Sequence, residues 1–348
     1  MKLQRIWALF VARNLEFFRD KAAFGWNFAF PFLIIVGFGF MFEGRNHQQF
    51  KVGLFPVAAE ELTFADTTLP YSFQTEERVQ FIPLPDSHSG EELLRHHKIE
   101  LLVDVNSADH AYWVNDSSPT GYLAEKLYLA SFLPENSQVA NKKVIEGEEI
   151  RYIDWFFPGL IGMNMMFSAL WGVGYVVVRY RKNGALKRLK ATPLTPLEYL
   201  CAQTLSRIFL LMFTTAVVWL GSDLIFDFNI QGSLWLIFFL FFLGGLCLCS
   251  LGLILAARGT SEEFTSGVLN FISWPMMFLS EVWFSLEGSP EWIRSVSQLF
   301  PLTHMLAAIR KVMSEGATLM DVGGECLFLA AFTAAALIIA ARMFSWND

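Results

Sequence analysis

RYRKNGALKRLKATPLTPLEYL, Arg179 to Leu200, is the stretch whose reading decides the fold. It holds six Lys/Arg (Arg179, Arg181, Lys182, Lys187, Arg188 and Lys190) and no acid before Glu198. It follows 23 residues without a charge, Phe156 to Val178, and leads into a second apolar run. A loop rich in Lys and Arg between two membrane-length segments is retained on the cytoplasmic side. The stretch therefore orients every other segment. It also marks where a cytoplasmic partner can push on membrane helices.

The composition agrees. Among 348 residues, 54% are hydrophobic and 17% charged, and the mean hydropathy is +0.40. Several uncharged runs approach the roughly 20 residues needed to cross a bilayer. The expected class is a polytopic α-helical membrane protein with six transmembrane helices and both termini cytoplasmic. Residues 1–21 form a cytoplasmic amphipathic helix lying in the interface, with Ile6, Trp7, Leu9, Phe10, Leu15, Phe17 and Phe18 apolar. Span 1 is 22–42, interrupted by Asn27 and Pro31, and its end lacks the small-residue pattern of a cleaved signal. Residues 154–348 supply spans 2 to 6: Phe156 to Val178, Leu200 to Leu220, Ser233 to Ala257, Phe264 to Ser280 and Cys326 to Ala341. The basic loop covers 179–199. Gly162, Gly172 and Gly174 permit close helix approach in span 2. Arg207 sits inside span 3. A cation in lipid suggests a function, but two turns from the cytoplasmic end it can snorkel outward, and that structural role is the expectation.

Two stretches break the pattern. Residues 43–153 carry 18 Asp/Glu against 9 Lys/Arg and read as an extracytoplasmic domain. Phe50 to Pro56, Ile99 to Val105 and Ala111 to Asn115 read as strands. Glu91 to His97 and Tyr122 to Phe132, extending toward Val139, read as helices. The alternation favours a small α/β fold. The other stretch, 281–316, mixes aromatics, prolines and charges. It is too polar for a lipid-facing span and too apolar for a loop, so a re-entrant helical pair between spans 5 and 6 is expected.

Chemistry is sparse. There is no Gly-Lys dipeptide, hence no Walker A loop, and no GxSxG, HExxH or CxxC pattern. His47, His88, His96, His97 and His110 fall in the insertion without ligand spacing, and His96 and His97 would point apart on a helix. Asn115-Asp116-Ser117 matches the glycosylation sequon, a pattern too short to argue from. The four cysteines lie in or beside apolar runs, and the insertion has none for a disulfide. No catalytic residue, metal or nucleic-acid contact is expected. Energy for uphill transport would have to come from another subunit.

GALKRLKATPLTPLEYLCAQ resembles the cytoplasmic loop of ABC type-2 permeases, the membrane subunits of ABC exporters. Gly184, Leu186, Leu189, Ala191, Thr192, Pro193, Leu194, Pro196 and Leu200 match the family's pattern. SLEGSPEWIRSVSQLFPLTHMLAAIR is similar to its re-entrant pair, with Pro290, Trp292, Pro301 and Arg310 in place. The polar insertion is similar to the branch with large ectodomains. The resemblance implies a permease subunit in the inner membrane, coupled to a separate ATP-binding subunit that holds ATP and Mg. A second permease chain, identical or not, would complete the pathway, and the arrangement leaves room for a periplasmic adaptor. Gly184 to Pro193 and the N-terminal helix would engage the ATPase. Cargo would be hydrophobic or amphipathic, a drug or a lipid. Phe167, Trp171, Phe271 and Trp274 are candidates for the substrate path, and Met163, Met165, Met166, Met276 and Met277 for its walls, though core packing suits most of them. Lys182 and Lys187 depart from the family, which often has Glu there, so pairing with the ATPase would be absent or inverted. The competing readings are a membrane-anchored sensor or assembly protein whose ectodomain binds a ligand, and an intramembrane enzyme using the histidines.

Overall fold

The computed structural model describes residues 3–43, 50–57, 68–107, 109–133, 151–257 and 261–343. The chain divides into two compact units, Phe40–Glu148 and the remainder.

The smaller unit is built on a four-stranded sheet in the order β2-β1-β3-β4. β1 (Phe50–Phe55) lies between β2 (Val79–Pro83) and β3 (Leu101–Asp104), parallel to both, with Val52 opposite Phe81 and Leu101. β4 (Tyr112–Val114) closes the edge antiparallel to β3. Parallel strands need both faces covered. On one face Phe50, Val52, Leu54, Leu101 and Val103 meet Phe73 of α3 (Tyr71–Gln74) and Ala124 and Tyr128 of α5 (Pro119–Ala130). On the other, Phe55 and Leu102 meet Leu94 of α4 (Ser87–Arg95). The Asp86 carboxylate caps α4 by accepting from the Ser89 amide at 2.7 Å. The three strands expected from the sequence are present. β2 is the fourth, and its VQFIP carries too few alternating positions to stand out. α4 stops at Arg95, so His96 and His97 follow the helix rather than belonging to it, and His97 has φ 53°. The proposed extension toward Val139 and the residue His47 lie outside the described residues.

The larger unit is helical. Among the described residues, five helices are long and apolar enough to cross a membrane: Phe24–Met41, Tyr152–Lys182, Glu198–Phe226, Leu234–Ala256 and Gly323–Met343. They belong to α2 (Lys21–Glu43), α6 (Tyr152–Ala169) continued by a π-helical turn (Leu170–Tyr175) into α7 (Val176–Lys182), α9 (Pro196–Phe226), α10 (Leu234–Ala256) and α14 (Gly323–Met343). The expected fifth span is α11 (Glu262–Leu279), 18 residues opened by two acids, which is long enough but falls short by composition. α10 is the axis of the unit, packed against α6, the π turn, α9, α13 (Pro301–Glu315) and α14. The expected close approaches are internal: a Cβ on Gly162 would stand 2.7 Å from a Leu306 methyl, and one on Gly174 3.2 Å from the Gly252 carbonyl. Residues 281–316 hold two short helices, α12 (Glu291–Ser297) and α13, with Pro290 and Pro301 at their starts.

α1 (Leu3–Arg19) runs beside α9 in the same direction: Arg5 meets Glu198, Arg13 meets Gln203 and Phe18 meets Phe213. Its apolar residues are divided. Phe10 and Phe18 meet α9 rings edge to face, while Leu3, Trp7 and Leu15 stay exposed.

Candidate functional site

The basic stretch is a helix–turn–helix elbow rather than an open loop. α7 carries the second span's helix through Arg179, Arg181 and Lys182. Gly184 then turns the chain with φ 75°, a left-handed value that a side chain resists. α8 (Ala185–Lys190) follows and inserts Leu186 fully, Leu189 partly, into the helical core. That anchoring leaves Lys187, Arg188, Lys190, Ala191, Thr192 and Pro193 facing outward. Thr195 ends the turn as the N-cap of α9. Its hydroxyl accepts from the Glu198 amide at 3.3 Å and its own amide donates to Glu198 at 3.1 Å, a reciprocal capping box. Pro196 occupies the first helical turn, where its missing N–H costs nothing.

α1 clamps this elbow. Arg5 donates to the Pro193 carbonyl and lies 3.8 Å from the buried Glu198 carboxylate. Arg13 donates to Gln203 at 2.8 Å, to Glu16 at 2.7 Å and to the Tyr180 hydroxyl, with its guanidinium 4.7 Å from the Tyr180 ring centre. Arg181 and Lys182 have internal work. Arg181 is buried, and its guanidinium donates to the Ala256 and Ala257 carbonyls at 3.1 and 3.2 Å. It thereby satisfies orphan carbonyls at the C-terminus of α10 and complements that end of the dipole. Lys182 bridges to Glu262 and Glu263 of α11 at 3.7 and 3.6 Å, and Glu262 also accepts from the Tyr175 hydroxyl at 2.7 Å.

Arg207 differs from expectation. Its guanidinium turns inward and donates to the Ser168 carbonyl and, at 2.5 Å, to the Ser168 hydroxyl. The π turn explains the partner set. A π turn replaces i→i+4 bonds by i→i+5 ones, and side chains meet the carbonyls on its flank: Arg207 at Ser168, and Gln203 at Gly172 (3.2 Å).

Of the candidate path residues, Phe167 is 5.5 Å from Trp171 and 6.4 Å from Trp274 between ring centres. Phe271 lies on α11 a turn from Trp274, and both are exposed. All five methionines named above are buried and serve packing. At the other end of α6, Arg310 lies 3.9 Å from the Trp155 ring centre, donates to the Trp155 and Glu281 carbonyls at 3.2 and 2.6 Å, and pairs with the Glu281 carboxylate at 3.6 Å. Pro290 and Pro301 begin the two short helices, and Trp292 is exposed. The described histidines of the insertion, His88, His96, His97 and His110, form no group of metal-ligating side chains with Cys, Asp or Glu among the described residues.

Sequence reasoning missed Arg5, Arg13, Tyr180, Gln203 and the Glu262–Lys182 pair. The clamp joins residues separated by more than 160 positions, and no local pattern encodes it.

The profile of ABC-2 family transporter proteins matches residues 21–342. The chain belongs to the ABC-2 transporter family. The matched region begins with α2 and ends in α14, so this ABC-2 chain is a multi-pass helical membrane protein with its elbow inside the family's shared core. It is 25% identical over 192 residues to the probable multidrug ABC transporter permease YbhR of Escherichia coli K12, covering 55% of this chain and 52% of that one. It is 25% identical over 164 residues to the probable multidrug ABC transporter permease YbhS of the same strain, covering 47% and 43%. To ABC transporter G family member 20 of Dictyostelium discoideum it is 24% identical over 166 residues, 48% and 23% of the two chains. The chain thus matches about half the length of its bacterial relatives.

Proposed function

We propose that this chain is the membrane-spanning permease subunit of an ATP-driven exporter, worked by a separate ATP-binding subunit that engages residues 179–199. The observation that carries this reading is mechanical. The elbow presents an exposed tip at Thr192 and Pro193, and that tip is joined through a capping box to a 31-residue helix and through Arg5 to α1. A push on the tip therefore reaches α9 and α1 together, because a helix transmits displacement along its hydrogen-bonded axis. The family membership and the multidrug permease relatives supply the context.

In this reading six helices cross the inner membrane, α11 being the fifth. Residues 43–153 are extracytoplasmic and both termini are cytoplasmic. α12 and α13 dip back into the outer leaflet, with Arg310 holding them to α6. Two permease chains meet so that the exposed Phe271 and Trp274, with Phe167 and Trp171, face a path for a hydrophobic or amphipathic cargo. ATP and Mg are bound by the partner. Its docking surface is acidic, since the elbow's outward side chains are cationic and its one acid, Glu198, is consumed internally.

Pro193→Asp tests the coupling. In proteoliposomes holding both subunits, the variant should insert normally while cargo no longer stimulates ATP hydrolysis. Wild-type transport by that variant removes the elbow from the mechanism.

A further inference from the structure

We propose that a cleft between α1, the π turn and α9 holds the head group of a phospholipid with a primary ammonium, its phosphate on Arg207 and its ammonium on Glu16. The cleft is about 170 Å³. Arg13 and Glu16 of α1 line it, with Asp20 just past that helix, Gly172 of the π turn and Gln203 and Arg207 of α9. Phe17, Val176 and Leu210 form an apolar wall.

Three observations point to a zwitterionic ligand. First, Arg207 is half satisfied. Nη2 binds Ser168, while the buried Nε has no hydrogen-bond partner among the described residues. A buried guanidinium edge without a partner is costly, and a phosphate suits its fork geometry. Second, the lining charges balance, two arginines against two acids. A simple anion would meet Glu16 and Asp20, and a simple cation would meet both arginines. A ligand carrying both charges satisfies both sides. Third, among the described residues Glu16 spends only Oε2, on Arg13 and Tyr180, which leaves Oε1 to accept from an N–H donor. Gly172 matters to the shape, because a Cβ there would fall 2.0 Å from Arg207 Cζ and displace the guanidinium.

The position also fits a lipid. Arg207 is eleven residues into α9, about 16 Å along its axis at 1.5 Å per residue. With the elbow outside the membrane, the cleft lies about two turns inside the cytoplasmic end of the span, on the inner-leaflet side. The wall of Phe17, Val176 and Leu210 offers an acyl chain a surface. This inference needs no ATP-binding subunit and stands apart from the coupling role of the elbow.

Native mass spectrometry of the full chain, released from detergent micelles doped with phosphatidylethanolamine, phosphatidylcholine or phosphatidylglycerol, tests it. Wild type should retain one phosphatidylethanolamine about tenfold more than either other lipid, the value of roughly one charge-assisted hydrogen bond. Arg207→Gln should lose the adduct. Glu16→Gln should retain phosphatidylethanolamine and phosphatidylcholine equally. Arg207→Lys, which keeps the charge, should retain part of the preference and controls for folding, checked by monodisperse elution. Equal retention of all three lipids by wild type overturns the assignment, as does an unchanged preference in Arg207→Gln and Glu16→Gln. Saturation by inorganic phosphate or glycerophosphoethanolamine, with no lipid adduct retained, reassigns the cleft to a soluble ligand and overturns it too.

Discussion

Replacing Arg13 by Ala should loosen α1 from the elbow without unfolding the helical core. Only part of the Arg13 network bears on this. Its bond to Glu16 stays within α1 and does not dock the helix. The bonds to Gln203 and Tyr180 do, and so does the guanidinium 4.7 Å from the Tyr180 ring centre. The Arg13 side chain is 16% exposed, so screening is modest. Hydrogen bonds from a charged group contribute about 1.5–3 kcal/mol each and the cation–π contact about 0.5–1. Tyr180 keeps its 2.6 Å bond to Glu16 in the variant, which offsets part of the loss. A net weakening of about 2–3 kcal/mol, or roughly 30- to 150-fold in the local opening equilibrium, is expected. The edge-to-face contacts of Phe10 with Phe209 and Phe18 with Phe213 remain to keep α1 in contact. Hydrogen exchange in nanodiscs reads this directly: α1 amides should exchange faster by that factor while α10 amides do not change. Arg13→Lys should fall between, because it keeps charge but not the flat fork that serves Gln203 and the ring together. Unchanged α1 exchange in Arg13→Ala would refute the clamp. Faster exchange with cargo-stimulated ATP hydrolysis intact would refute its part in coupling.

Thr195→Ala removes the hydroxyl of the α9 capping box and should cost about 1 kcal/mol, seen as roughly fivefold faster exchange confined to the first turn of α9. Lys187→Glu combined with Arg188→Glu reverses two outward charges without touching the buried Leu186. Binding of the ATP-binding subunit, measured by co-purification, should fall at least tenfold and lose its salt sensitivity; tighter binding would mean that the partner surface is not acidic. In the smaller unit, the amide and hydroxyl of Ser89 hold the Asp86 carboxyl below its ordinary value. Its capping contribution is therefore complete above about pH 4, the unfolded value, and is lost as pH falls through the lower folded one. Exchange of α4 amides should accelerate across that acid range in wild type, and Asp86→Asn should flatten the dependence.

The residues themselves determined the class of this protein, because crossing a bilayer imposes a length and a polarity that local sequence must meet. Apolar runs in α2, α6, α9, α10 and α14, and six cations ahead of Glu198, state that without tertiary help. Gly184 to Pro196 were marked by their resemblance to the ABC-2 loop pattern, and a glycine that turns the chain at φ 75° and a proline in the first turn of a helix suit that pattern locally. The partners were decided by tertiary structure alone. Arg181 reads as one more cytoplasmic cation, yet it is spent capping α10. Lys182 reads as a departure from the family, yet it bridges to the acids that open α11. Arg207 reads as a snorkelling side chain, yet a π turn in α6–α7 meets it with the Ser168 carbonyl. Charge and hydropathy are properties of a residue and can be read one position at a time. A hydrogen bond between positions 13 and 203 is a property of the packing, which only the folded chain provides.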